Sequence, residues 1–130
     1  MKRLGNIILV LAGLGFLGFG LAILVQPALV LGKVGISGTP AGLVELQAFY
    51  GGLELGLGAF LVACARNAQW QRAGLWSVAL VNGGIGLARL VGIAMSGEFT
   101  GFFAGALAWE FGFTLAAILA LRGLSAPKTG

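Results

Sequence analysis

The sequence predicts an all-α, polytopic membrane protein: one transmembrane domain over residues 1–130, built as a four-transmembrane-helix up-down bundle. Three observations carry that expectation. Hydrophobic residues make up 58% of the chain and charged residues only 9%, against about 25% charged residues in a soluble domain. The apolar residues gather in four runs of roughly 20, the length that crosses a hydrocarbon core about 30 Å thick at about 1.5 Å per residue. The 24 glycines sit among Leu, Ile, Val and Phe, with neither a triplet repeat nor a polar linker around them. Membrane helices use glycine this way, because close backbone approach replaces the missing hydrophobic drive between them.

The first run spans about Leu4 to Val25. Lys2 and Arg3 ahead of it, and small residues near Gly20-Leu21-Ala22, give it the look of a secretory signal peptide; the reading adopted is a first transmembrane helix. Its GLGFLG stretch, residues 13–18, matches the GxGxxG pattern of dinucleotide loops, but no strand precedes it and no acidic residue follows at the required distance, so helix packing accounts for it better. A connection with Pro27, Pro40 and several glycines follows, long enough for a short interfacial helix around Ala28 to Leu31 and a turn at Gly38-Thr39-Pro40. The second run spans about Val44 to Cys64, the third about Ala73 to Met95 and the fourth about Phe102 to Leu121. Since a backbone in lipid must satisfy its own hydrogen bonds, all four are expected to be helices. The linkers are a basic one, Ala65 to Arg72, and a tight turn from Ser96 to Gly101 carrying Glu98; a short polar tail begins at Ser125.

Charge placement sets an expected orientation. With the N-terminus in the cytoplasm, Lys2, Arg3, Arg66, Arg72, Arg122 and Lys128 all lie inside and only Lys33 lies in an outer loop. That follows the positive-inside rule, puts both termini in the cytoplasm and removes any need for nucleic acid to explain the net charge of +4. Trp70 and Trp76 then fall near the inner interface, and Trp109 falls deeper. The single cysteine, Cys64, excludes an internal disulfide, and the absence of histidine excludes the common zinc sites and a Ser-His-Asp triad. No cofactor and no metal are expected.

Three charged residues lie inside the apolar runs: Glu54, Arg89 and Glu110. Counted from the outer ends of their helices, they sit about 15, 9 and 12 Å deep, so they can meet if their faces converge. At about 100° per residue, Gln47, Tyr50, Glu54 and Gly58 share a face; so do Asn82, Gly86 and Arg89; and so do Phe103, Ala106, Glu110 and Phe113. Glu45 falls on the opposite side of its helix. An isolated charge at the bilayer centre costs roughly 2.5–3.5 kcal/mol. Arg89 is therefore expected to pair with Glu54, Glu110 or both, with hydrogen bonds from Asn82, Gln47 and Tyr50. Two carboxyls facing one guanidinium leave one acid in surplus. Gly52 and Gly56, and likewise Gly101 and Gly105, are spaced four apart, as close helix contact or a homo-oligomer would use. For Trp109, core packing is the preferred reading; Phe102 and Phe103 either line an apolar pocket or, on the preferred reading, pack in the core.

The stretches ELQAFYGGLELGLGAFL (residues 45–61) and ARLVGIAMSG (residues 88–97), with the acidic helix around Glu110, resemble a bacterial membrane family known as domain of unknown function 4345. The family pattern has Arg where this chain has Gln47, and often Asp-Gly where it has Ser96-Gly97. The resemblance spans nearly the whole chain, implies a small four-helix protein of the bacterial inner membrane, and brings no established activity.

Four readings of function follow. The first is binding of a lipid or small hydrophobic ligand by Gln47, Tyr50, Glu54, Asn82, Arg89, Trp109 and Glu110. The second is a small proton-coupled transporter working through Glu54. The third is a membrane-embedded isomerase or cyclase, with Glu54 and Glu110 as general acid and base and Trp109 stabilising a developing cation. The fourth is a charge cluster that only fixes helix register.

Overall fold

A computed structural model describes residues 2–125; the tail beyond Ser125, with Lys128, lies outside the described residues. The elements are α1 (Lys2–Val25), α2 (Pro27–Gly32), α3 (Pro40–Leu46), a π-helical turn (Gln47–Gly52), α4 (Leu53–Arg66), α5 (Gln71–Ser96) and α6 (Gly101–Ser125), with no strand among the described residues. Helix α3, the π turn and α4 run on as one span, Pro40–Arg66, which with α1, α5 and α6 makes four helices long and apolar enough to cross a membrane. Large apolar side chains on the outside of the bundle, among them Leu14, Leu80, Leu87 and Met95, suit lipid rather than water.

Local chemistry sets the helix ends. Pro27 and Pro40 each stand at the start of a helix, where a missing N–H costs nothing. Thr39 caps the second span, its Oγ1 accepting from the Gly42 N–H at 3.2 Å. The expected turn at Gly38-Thr39-Pro40 is therefore the cap itself, and the span begins at Pro40, ahead of the predicted Val44. Gly97 ends α5 with φ +72°, the left-handed conformation that glycine adopts without penalty.

Helix α1 packs most extensively on α4 and α5 on α6; the α1–α6 and α4–α5 seams are smaller, so the spans follow one another around the bundle as two antiparallel hairpins side by side. The α1–α4 seam is made by glycines seven apart. A Cβ at Gly58 would lie 2.7 Å from the Gly13 carbonyl oxygen, and one at Gly20 would lie 2.9 Å from that of Gly51. The pairs singled out by spacing do not serve this contact. Gly56, Gly101 and Gly105 have open space where a Cβ would sit, and Gly52 meets only the Gln47 carbonyl of its own helix, at 4.0 Å. A four-residue spacing marks a face but not the direction in which that face points.

The two halves of the bundle differ. At the end where α1 begins, a dry core joins all four spans through Leu9, Leu61, Cys64, Leu75, Val78, Ala117 and Ala120. Gln71 closes that end: its Nε2 donates to the Lys2 carbonyl and to Asn6 Oδ1, both at 2.7 Å. Toward the other end the spans enclose a cavity. Its roof comes from the first connection, where Leu31 of α2, with 1% of its surface exposed, is joined by Val34 and Ile36. The short helix expected at an interface is thus partly folded inward over the bundle.

Candidate functional site

The cavity measures about 620 Å³. Each long helix contributes to its wall: Phe16 and Phe19 from α1, Tyr50 and Glu54 from the second span, Asn82, Ile85, Ala88 and Arg89 from α5, and Phe102, Phe103, Ala106, Trp109 and Glu110 from α6. Asn82 lies one turn beyond the core residue Val78 and marks the inner end.

Close approach of α5 and α6 builds the charged wall. At Gly86 a Cβ would lie 3.1 Å from the Phe111 ring and 3.4 Å from the Glu110 Cβ, so the missing side chain lets Glu110 come alongside α5. Arg89, one turn further on, then reaches it. Its Nε donates to both Glu110 oxygens at 3.1 Å and its Nη2 to Oε1 at 2.6 Å. Such forked, charge-assisted contacts are the strong form of the interaction. The guanidinium also faces the rings of Phe102 and Phe103, 5.7 and 6.0 Å from their centroids, within cation–π range. These two phenylalanines belong to the cavity wall, not to the core as expected. Thr114, one turn past Glu110, donates to the Glu110 carbonyl at 2.8 Å.

Glu54 stands apart from this pair. Of the two carboxylates expected to compete for Arg89, Glu110 takes the guanidinium; the Glu54 Oε2 is buried with no hydrogen-bond partner. The amides expected to serve the acids are engaged elsewhere. Asn82 Nδ2 donates back to the Val78 carbonyl at 3.0 Å, and Gln47 Nε2 donates across to the Leu24 carbonyl of α1 at 3.0 Å. Gln47 therefore ties two helices together outside the cavity wall, whereas Tyr50 and Asn82 line it.

Trp109 is not a core residue: 47% of its surface is exposed. Its indole crosses to α1, where a Cβ at Gly15 would lie 2.6 Å from Cζ2, and it packs on Phe113 with ring centroids 4.5 Å apart. It bridges α6 to α1 while forming part of the wall. Sequence reasoning missed Phe16, Phe19, Ile85 and the roof residues Leu31, Val34 and Ile36. The roof carried a signal: the linker run LVLGKVGI, residues 29–36, is too apolar for a loop left in water.

Fold and site together define a four-helix membrane protein whose spans surround an aromatic-walled cavity, with a partly buried arginine–glutamate pair and a second, unpaired glutamate. The chain belongs to the family described as Domain of unknown function (DUF4345), which it matches over residues 4–121. Comparison with curated proteins and with solved structures returned no match.

Proposed function

We propose that the protein binds a lipid or a small hydrophobic ligand in this cavity. The observation that carries the reading is a space of about 620 Å³ between membrane-spanning helices, mostly apolar in its lining, with an unpartnered carboxyl in its wall. Ligand sites are typically about 300–1,000 Å³, apolar, with a few placed polar groups. A cluster serving only to lock helix register would leave no such space and would use both acids. An acid–base pair for catalysis is less well supported, because Glu110 is held by three hydrogen bonds from Arg89 and only Glu54 is left without a partner. The clustering of Lys and Arg at the end of the bundle where α1 begins supports cytoplasmic termini in a bacterial inner membrane. That orientation puts the cavity in the outer half of the bilayer.

Native mass spectrometry of protein extracted under mild conditions tests the reading. The expected result is a retained small molecule on the wild-type chain that is lost from Ala106→Phe, a substitution that fills the cavity from its wall. A wild-type chain with no adduct, or equal retention by Ala106→Phe, overturns it.

A further inference from the structure

We infer that the ligand of this cavity is a lipophilic organic cation: a positively charged centre seated at Glu54, carried on an apolar body packed among the aromatic rings. This rests on the ligand-binding reading above and names its chemical class.

The ionisable groups in the wall, Tyr50 apart, are Glu54, Arg89 and Glu110. Arg89 and Glu110 offset each other, both Glu110 oxygens accept from Arg89, and the guanidinium lies within cation–π range of Phe102 and Phe103. The wall thus holds one acid without a counter-charge, Glu54, whose buried Oε2 has no donor. Leaving a buried acceptor unsatisfied costs free energy that a ligand's donor or positive charge would recover. An apolar ligand would leave that acceptor as it is, and an anion would bring it no donor.

The rings decide between a cation and a neutral donor. Phe16, Phe19, Tyr50, Phe102, Phe103 and Trp109 all contribute to the wall. Aromatic faces attract positive charge, and a wall of several such rings is the chemistry by which quaternary ammonium groups are recognised. The same wall already holds one cation this way, the guanidinium of Arg89.

The test is a matched pair of ions of one shape and opposite charge, tetraphenylphosphonium and tetraphenylborate. Binding to the full-length protein is measured by equilibrium dialysis, with protein-free micelles subtracted. The phosphonium is expected to bind about tenfold or more tightly than the borate. Glu54→Gln is expected to bring the ratio near unity without lowering the thermal midpoint, and Glu54→Asp to keep the preference. Equal binding of the two ions, with no change in Glu54→Gln, overturns the cation assignment and leaves the hydrophobic-ligand reading standing. Tighter binding of the borate overturns it in favour of Arg89 as the recognising group. Failure of both ions to bind overturns the cation assignment alone if the wild-type adduct lost from Ala106→Phe is present, and both readings if it is not. A repeat in nanodiscs separates two sources of the same chemistry, both of which uphold the assignment. With partition into empty nanodiscs of the same lipid subtracted, phosphonium affinity lower in phosphatidylethanolamine than in phosphatidylglycerol assigns the cation to a lipid amine headgroup; unchanged affinity assigns it to a free lipophilic cation.

Discussion

Arg89 and Glu54 share a cavity but differ in how well they are satisfied, and substitutions there should read out the difference. Arg89 is held by Glu110 through its Nε and Nη2, and the Glu110 side chain is 6% exposed. Glu110→Leu would leave a guanidinium without its counter-charge. Removing one member of a buried pair costs about 3–5 kcal/mol. Since 24% of the Arg89 side chain is exposed, a loss of about 3 kcal/mol is expected on the same scale. The Arg89→Met, Glu110→Leu double variant should recover most of it. Glu54→Gln breaks no hydrogen bond and removes a buried carboxyl that lacks a donor, so it should not lower stability. Unfolding midpoints in mixed detergent and sodium dodecyl sulfate check all three. That Glu54, Arg89 and Glu110 form the polar centre was legible in sequence, because a charge inside an apolar run must face a partner or a polar space rather than lipid. Which acid would hold the arginine was not. Periodicity gives the face of each helix, but the choice depends on where α5 and α6 approach, and that is fixed at Gly86 by contact with Phe111 and Glu110.

At the scale of elements, the α1–α4 hairpin rests on two backbone contacts, Gly13 against Gly58 and Gly20 against Gly51. An added methyl at Gly58 would lie 2.7 Å from both the Gly13 carbonyl oxygen and Leu17 Cγ. Backbone can yield there only by separating the helices, so Gly58→Ala should cost about 1–3 kcal/mol. Gly56→Ala, two residues away with nothing within 4 Å, should be neutral or slightly stabilising in the same unfolding assay. The four spans were legible from hydropathy and length alone, since only a helix or a closed barrel satisfies its backbone in lipid. The π turn at Gln47–Gly52 was not, because one wide turn leaves hydropathy unchanged and alters only the local angle per residue. That turn begins at Gln47, which reaches α1, and ends two residues before Glu54, which lines the cavity. Helix α2 was legible as a short helix from Pro27 and its apolar run, but its fold over the cavity was not, because inward and interfacial burial draw on the same apolar residues.

The whole molecule is a bundle closed at one end and open at the other, and α6 runs through both. Ala117 belongs to the dry core with none of its surface exposed, while Ala106, eleven residues earlier on the same helix, lines the cavity. One substitution at these two positions therefore asks the same question of two environments. Interiors packed to crystal density have no room for a ring, so Ala117→Phe must displace its neighbours in that core. It should lower stability by at least about 1–3 kcal/mol. Ala106→Phe places its ring into existing space beside Phe103 and Trp109. It should leave the unfolding midpoint within about 0.5 kcal/mol of wild type while abolishing ligand retention. If both variants were equally destabilised, the upper half of the bundle would be as tightly packed as the lower. If Ala106→Phe kept its ligand, the bound molecule would sit elsewhere. A stable Ala106→Phe chain that has lost its ligand would separate what holds the helices together, at the closed end, from what the open end is for.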